Sequence, residues 1–328
     1  MVYNPTHTVN RIWARSNQAT RCFKGLVNYE KTYEWYIGQM IESMIEQTAM
    51  DAELRLMLLD TFMPINDGQE KIYTAKQMQS ILDCGEGKRK ELRQKGEGKK
   101  FPFRLKELMD CIELKKKFPD VICGAQIFQH KCRKERLKIP FLFHTGETLL
   151  DTGGTSDLKN SNLYDAVALS SKRIGHGFSL MKHPELIKRC IRTKGDPGIC
   201  IELCPTSNEL LHLCRNVKEH PYPELLAAGI PCTVNTDNPN LYGNSMSHEF
   251  YQVMVGSQRM SVHSWRQLAL WSFKYSCLDE KDKREGKRIL MKDWEEFCGG
   301  VVEQFDHLFD VEGNTVNETL VKELYRLP

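Results

Sequence analysis

The chain has 328 residues, a formal net charge of +3, 27% charged residues and 41% hydrophobic residues. This length allows one large α/β domain or two ordinary ones. A charge balance this even implies neither a nucleic-acid-binding surface nor an acidic tail. The longest apolar runs fall far short of the roughly 18 residues that a membrane-spanning helix needs. We therefore expect a soluble protein whose partners include neither nucleic acid nor a membrane.

The cysteines favour a reduced compartment. Twelve of them are spread along the chain without a Cys-x-x-Cys pair, whereas a disulfide framework is typical of much shorter secreted chains. Cys200 and Cys204 lie four positions apart on a predicted strand and so face the same way. This spacing favours buried thiols over a metal-binding pair. The first residues show no basic segment followed by an apolar one, so no signal peptide is predicted.

The first third of the chain predicts a helix, an undecided element and a loop. Apolar residues recur every three or four positions over 19–50, which is the pattern of an amphipathic helix. The stretch 52–60 fits a strand or a short helix equally well. Residues 85–100 are rich in glycine and lysine with almost nothing to bury, so we predict a basic flexible loop there.

From residue 103 onward, predicted helices and strands alternate. The helices are predicted at 103–118, 131–138, 161–171, 183–193 and 220–228, and the strands at 121–128, 139–143, 173–176, 198–204 and 231–236. Repeated strand-then-helix units predict an α/β fold with a parallel sheet, either doubly wound or closed into a (β/α) barrel. The C-terminal third is predicted to be helical. Since no linker divides the chain, we predict a single domain over 1–328.

Three of the predicted strands end in residues that can carry chemistry. His144 and Glu147 follow one strand, His176 ends the next, and Asp237 follows the last. A lone histidine on a strand is more often a hydrogen-bonded core residue than a ligand. In a barrel, however, catalytic groups lie at the carboxyl ends of the strands. The four residues together therefore predict an active site.

This set of side chains matches metal-assisted hydrolysis. His144 and Asp237 can share a divalent metal, and zinc is the usual ion for nitrogen and oxygen ligands. Zinc lowers the pKa of a bound water to about 7. Glu147 can then protonate the leaving side of a substrate, and His176 can orient or deprotonate the water. Gly146 has no Cβ, so a substrate can approach the backbone closely.

Four motifs in this order resemble the adenosine deaminase family. They are His-Thr-Gly-Glu at 144–147, Gly-His-Gly at 175–177, Glu-Leu-Cys-Pro-Thr-Ser-Asn at 202–208 and Thr-Asp-Asn-Pro at 236–239. The flanking stretches 173–184 and 247–253 look most like the adenosine deaminase-related growth factor branch. The resemblance is best over about 100–310 and is traceable over 10–60.

The resemblance implies a (β/α)8 barrel of the metal-dependent hydrolase type that converts adenosine to inosine and ammonia with one Zn²⁺. By position, His144 and Asp237 would hold the metal. Glu147 would donate a proton to N1 of the purine, and His176 would hold the hydroxide that adds to C6. Glu147, His176 and Asp237 are thus the implied catalytic residues.

The chain also departs from the family pattern. The family supplies two further metal ligands from a His-x-His on its first strand, which this chain lacks, so the barrel is predicted to be incomplete there. Gly146 and Asn238 are the implied substrate contacts, but the family has an aspartate where Asn238 stands. Residues 126–129 replace a purine-contacting stretch, and 60–100 shows no clear strand.

These departures leave several hypotheses open. One hypothesis is that the chain descends from an active enzyme and binds a nucleoside or a partner without catalysis. Another is that it is a truncated or mis-assembled reading of a full enzyme. A third hypothesis is deamination of another purine nucleoside or nucleotide. A homodimer stays open because 19–50 has apolar residues to spare. The compartment stays open as well, because the growth factor branch is often secreted.

Overall fold

The computed structural model describes residues 6–53, 62–65, 68, 70–96, 140–151 and 156–308. The chain divides into two compact units, one ending at Cys277 and one beginning at Leu278. The predicted elements at 103–118, 121–128 and 131–138 and most of 52–60 lie outside the described residues. That the whole chain is a single domain stays a prediction.

The first unit opens with two helices, α1 (Val9–Val27) and α2 (Glu30–Glu46). Thr8 caps α1, because its side chain accepts a hydrogen bond from the backbone N–H of Arg11. Helix α2 buries a stripe at every fourth residue, made of Ile37, Ile41 and Ile45. The helical conformation predicted over 19–50 is confirmed. The structure has two helices there, because helicity begins already at Val9 and is interrupted at Asn28.

A hairpin and a third helix follow, namely β1 (Phe62–Ile65), β2 (Glu70–Tyr73) and α3 (Thr74–Gln94). The antiparallel hairpin corrects the expectation that 60–100 lacks a strand. Helix α3 corrects the loop predicted over 85–100, as far as Gln94. The amine of Lys88 lies 2.7 Å from Glu42 of α2, and that of Lys95 lies 2.6 Å from Glu91. Such ion pairs stabilise α3 in the segment where composition alone predicts a solvated loop.

Four strands form a parallel sheet: β3 (Leu142–Thr145), β4 (Arg173–His176), β5 (Cys200–Leu203) and β6 (Cys232–Val234). Their order in the sheet is their order in the chain. In register, Thr145 lies opposite His176, and Leu203 lies opposite Val234. The predicted α/β fold with a parallel sheet is confirmed, and this strand order is the one found in the wall of a (β/α) barrel.

Short helices alternate with these strands, and longer ones follow them: α4 (Asn162–Ala168), α5 (Pro184–Cys190), α6 (Pro205–Leu210), α7 (Tyr222–Ala227), α8 (Pro239–Tyr242), α9 (Met246–Val255) and α10 (Val262–Tyr275). Leu163, Leu186 and Leu225 of α4, α5 and α7 pack in one core with Ile174 and Ile201 of the sheet. Burying each such side chain stabilises the fold by about 1.5–3 kcal/mol. This core anchors the strand ends that carry the predicted site.

A buried ion cluster fixes the other end of β4. The guanidinium of Arg173 donates from Nε to Glu202 at 2.6 Å and from Nη1 to the carbonyl of Tyr275 at 2.7 Å, and it also pairs with Glu53. Burial acts to lower the pKa of Arg173, but the two carboxylates outweigh it and raise the pKa above its usual range. The cluster joins β4 and β5 to the end of α10.

The second unit consists of α11 (Glu280–Phe305) and a short 3-10 turn (Asp306–Leu308) within the described residues. Asp279 caps α11 by accepting from the backbone N–H groups of Lys281 and Asp282. Three large apolar side chains of this helix, Phe297, Val301 and Val302, are exposed. Among the helices that the structure describes, none is long and apolar enough to cross a membrane.

Candidate active site

The carboxyl edge of the parallel sheet brings the predicted site residues together. His144 lies on β3, His176 ends β4 and Asp237 follows β6. One nitrogen of each histidine and one carboxylate oxygen of Asp237 all lie within 4.8 Å of one another. The two imidazole rings have centroids 5.2 Å apart. Residues 93 positions apart in sequence thus meet because parallel strands end at one edge.

The backbone is strained where two of these side chains leave their strands. His176 has φ 64° and Asp237 has φ 57°, both in the left-handed region that residues with a Cβ rarely adopt. Such conformations cost of order 1–3 kcal/mol each and persist where the surrounding structure enforces them. In this conformation both side chains lie within 4.8 Å of the ligand atom of His144.

Glu147 lies beside this cluster and holds a proton more tightly than an ordinary carboxyl group. Its Oε1 lies 3.3 Å from Nε2 of His176, and only 24% of its side chain is exposed. Burial, and then the negative charge of Asp237, raises the pKa of Glu147 to about 8. The carboxyl group is therefore largely protonated at neutral pH and can act as a proton donor.

Both carboxylate oxygens of Asp237 are held by neighbouring side chains. The hydroxyl of Ser207 donates to Oδ2 at 2.8 Å, and the amide of Asn238 donates to Oδ1 at 2.9 Å. These two hydrogen bonds hold the carboxylate in one orientation. Asn238, predicted as a substrate contact, thus orients the neighbouring carboxylate through its NH₂ group.

Gly146 is required by the packing of the protein itself. A Cβ at this position would lie 2.9 Å from Oγ of Ser179 and 3.0 Å from the methyl groups of Leu163, and φ is 65°. The N–H of Gly146 donates to Asn162 at 3.1 Å, and its carbonyl accepts from the backbone N–H of Ser179 at 2.9 Å. The glycine therefore fixes the turn between His144 and Glu147. A substrate contact at Gly146 stays a prediction.

Several side chains that the sequence did not single out complete the site. Asn208 Nδ2 lies 3.1 Å from Nδ1 of His176, and Asn208 Oδ1 lies 2.9 Å from Nε2 of His220. The hydroxyl of Tyr242 hydrogen-bonds to Ser207, and burial followed by the charge of Asp237 raises the pKa of Tyr242 to about 12. Asn208 and Ser207 belong to the 202–208 motif, which could have pointed to them, whereas Tyr242 carried no signal.

Two histidines that precede helices, His183 and His220, have hydrogen-bond partners in the interior. His183 precedes α5, and its Nε2 lies 2.6 Å from Oδ2 of Asp151, four residues after Glu147. His220 precedes α7, and its buried ring hydrogen-bonds to Asn208. Both side chains add a hydrogen bond across the fold.

The side chains present fit a zinc ion. His144 and Asp237, the predicted ligands, offer nitrogen and oxygen donors, and His144 is exposed to solvent, so a water could complete the coordination. His176 lies close enough to be a third ligand by distance alone. The chain has no His-x-His, so the two further ligands of the family pattern are absent from its sequence.

Known proteins are similar to this chain in sequence. A sequence model of the family described as "Adenosine deaminase" matches residues 138–291. Adenosine deaminase 2 of Homo sapiens is 29% identical over 320 residues, covering 89% of this chain and 60% of the relative. Adenosine deaminase of Lutzomyia longipalpis is 30% identical over 318 residues, with the same two coverages. The chain thus spans about three fifths of the length of these relatives.

Solved structures share the fold. The crystal structure of an Arabidopsis N6-mAMP deaminase has a TM-score of 0.57 at 13% identity and covers 87% of this chain and 84% of its own. A second Arabidopsis structure, complexed with IMP, has a TM-score of 0.55 at 14% identity, with coverages of 83% and 81%. At such identities the likeness concerns the fold alone. Over residues 138–291 the chain matches the family described as "Adenosine deaminase", and its four motifs all lie within that segment.

Proposed function

We propose that the chain is a hydrolase that deaminates adenosine to inosine and ammonia, with one Zn²⁺ held by His144 and Asp237. The observation that carries the proposal is the convergence of these two residues with His176 and Glu147 at one sheet edge. When bound, zinc supplies Lewis-acid activation of water near neutral pH. The remaining steps fall to side chains of the chain itself.

Glu147 is the proton donor in this proposal. The oxygen of water forms a bond to C6 of the purine while the carboxyl group of Glu147 gives its proton to N1, and the proton released by the water passes to the Glu147 carboxylate. The C6–N bond then breaks as the hydroxyl proton on C6 passes to the amino group, so that inosine and ammonia form. The raised pKa of Glu147 supports this role, because an ordinary carboxyl group would be ionised at neutral pH.

His176 and Asp237 position the attacking oxygen. Nε2 of His176 lies 3.3 Å from Glu147 and 3.8 Å from Asp237, so all three groups surround one small volume. Holding reactants in a fixed geometry removes much of the entropic barrier to reaction. Asn238 is proposed to contact the purine through its amide oxygen, since its NH₂ group binds Asp237.

The test is an absorbance assay with purified chain, zinc and adenosine. We expect formation of inosine that stops after treatment with a chelator and returns when zinc is added back. We also expect zinc to raise the melting temperature, since a ligand that binds the folded state stabilises it. If no inosine forms although adenosine raises the melting temperature, the chain binds nucleoside without catalysis and the proposal fails.

The choice of purine is tested with the same assay. Relatives named adenosine deaminase are similar over most of this chain, which supports adenosine as the first substrate to try. A panel that adds other purine nucleosides and nucleotides compares kcat/KM among them. A higher value for another purine would replace adenosine in the proposal. A homodimer stays a prediction, which ultracentrifugation would check.

A further inference from the structure

A buried line of hydrogen bonds leads from the backbone of α7 to the ring of His176. His176, Asn208 and His220 are 1%, 0% and 2% exposed. The backbone N–H of Tyr222 donates to Nδ1 of His220 at 3.2 Å. Nε2 of His220 lies 2.9 Å from Oδ1 of Asn208, and Nδ2 of Asn208 lies 3.1 Å from Nδ1 of His176. Water has no access to any of these contacts.

The backbone N–H of Tyr222 determines which atom donates in each of these hydrogen bonds. A peptide N–H can only donate, so Nδ1 of His220 accepts. Burial lowers the pKa of His220 to about 3, so its ring is neutral and its single proton lies on Nε2. That proton is donated to the amide oxygen of Asn208. The NH₂ group of Asn208 then faces His176, whose Nδ1 must accept.

We propose that Asn208 and His220 are positioning residues that hold His176 in the tautomer with its proton on Nε2, which makes His176 a hydrogen-bond donor into the site and not a metal ligand. The role of this donor rests on the proposed function, whereas the tautomer itself does not. Of the three side chains near enough to hold zinc, only His144 and Asp237 then act as protein ligands.

The opposite tautomer is disfavoured by the whole line. A proton on Nδ1 of His176 would point at the NH₂ group of Asn208. Turning that amide over would relieve this contact but would place the NH₂ group against the Nε2–H of His220. Either arrangement leaves two buried donors facing each other without an acceptor. The backbone N–H of Tyr222 prevents His220 from adapting.

The consequence concerns the oxygen that attacks the purine. A histidine nitrogen that carries a proton stabilises negative charge on a nearby oxygen, and a fixed donor requires no reorganisation during the reaction. A nitrogen that presents a lone pair would instead bind the zinc, and it could then no longer donate to the attacking oxygen. The line through Asn208 therefore separates metal binding from orientation of the nucleophile.

The first measurement is heteronuclear NMR of the imidazole nitrogens in the zinc-free full chain, where the two tautomers give different shifts. We expect His176 to carry its proton on Nε2 throughout the neutral range, with His176→Gln used to assign the signals. His248, which is exposed, provides the control. His248→Gln should leave the His176 pattern unchanged. A proton on Nδ1 of His176 in the natural chain would overturn the proposal.

The second measurement uses Asn208→Asp to reverse the tautomer. A carboxylate only accepts, so it should draw the proton to Nδ1 of His176 and free Nε2 as a third metal ligand. A carboxylate behind a ligating histidine typically changes metal affinity by about 10–100-fold. We expect zinc to bind more tightly by this factor, while kcat falls by at least about 10²-fold. Unchanged zinc affinity in a folded variant would contradict the inference.

His220→Gln keeps the proposal testable if Asn208→Asp does not fold. Loss of the ring removes the acceptor that Tyr222 N–H uses, so Asn208 can turn over and His176 should populate both tautomers. A single Nε2–H pattern in this variant would show that the line does not fix the tautomer. Absence of inosine formation together with the expected NMR pattern would defeat the proposed function and leave the tautomer assignment intact.

Discussion

The buried ring of His220 makes stability depend on pH, and the structure gives the size of the effect. His220 is 2% exposed, and burial lowers its pKa from 6.5 to about 3. The folded chain therefore keeps this ring neutral, while the unfolded chain takes up a proton as the pH falls through 6.5. Since the unfolded state binds more protons, the free energy of unfolding decreases as the pH falls from 6.5 toward 3.

The expected loss follows from one unit of pKa being worth about 1.36 kcal/mol. Between pH 7.5 and pH 5, the unfolded state gains about 2 kcal/mol from protonation of this one group. The loss continues with further acidification until the pH reaches the folded pKa. A decrease of this size is a large share of the 5–15 kcal/mol by which a typical domain is stable.

Urea unfolding at pH 7.5 and pH 5 measures the effect. His220→Gln should be less stable than the natural chain at pH 7.5, but its stability should fall by about 2 kcal/mol less between the two values of pH. His248→Gln, which removes an exposed histidine, is the matched control and should keep the natural pH dependence. The reasoning is refuted if His220→Gln and the natural chain lose the same free energy.

Further predictions concern the site and its support. Glu147→Gln should lower kcat by about 10²–10⁴-fold, because the amide cannot give up a proton. The melting temperature should not fall, because the amide resembles the protonated acid in shape. A kcat within a few-fold of the natural value would exclude Glu147 as the proton donor. Gly146→Ala should cost about 1–3 kcal/mol in urea unfolding, since φ is 65° and the new methyl group would meet Ser179 and Leu163; no loss would show that the turn adapts. Arg173→Met should cost about 3–5 kcal/mol, because Glu202 would be left buried without its cation; calorimetry showing an unchanged melting temperature would contradict the role of this cluster.

The strands of the sheet could be predicted because their signals are local. Each of the described parallel strands contains apolar or β-branched residues and is followed within two residues by glycine, proline or asparagine. Strands β3, β4, β5 and β6 all overlap the predicted strands. Their parallel pairing followed from the helices between them. The site residues at the carboxyl ends of these strands could be predicted because the strand ends themselves could be located.

Helix α3 could not be predicted from composition. The glycines and lysines of 85–94 describe a solvated loop when each residue is considered alone. In the fold, Lys88 pairs with Glu42, which lies 46 positions earlier in the chain, and Leu92 is buried. The helix forms because α2 lies beside it, and no window along the sequence contains that contact.

The sequence by itself determined the order of strands and helices, the family resemblance and the four side chains of the candidate site, since periodicity and motif spacing act over short distances. Only the tertiary structure decided the protonation of these side chains. The raised pKa of Glu147 arises from its burial and from Asp237, which lies 90 positions away. The proton of His176 is directed by Asn208, 32 positions away. Protonation depends on which groups meet in a water-excluded space, and the folding of the chain brings them there.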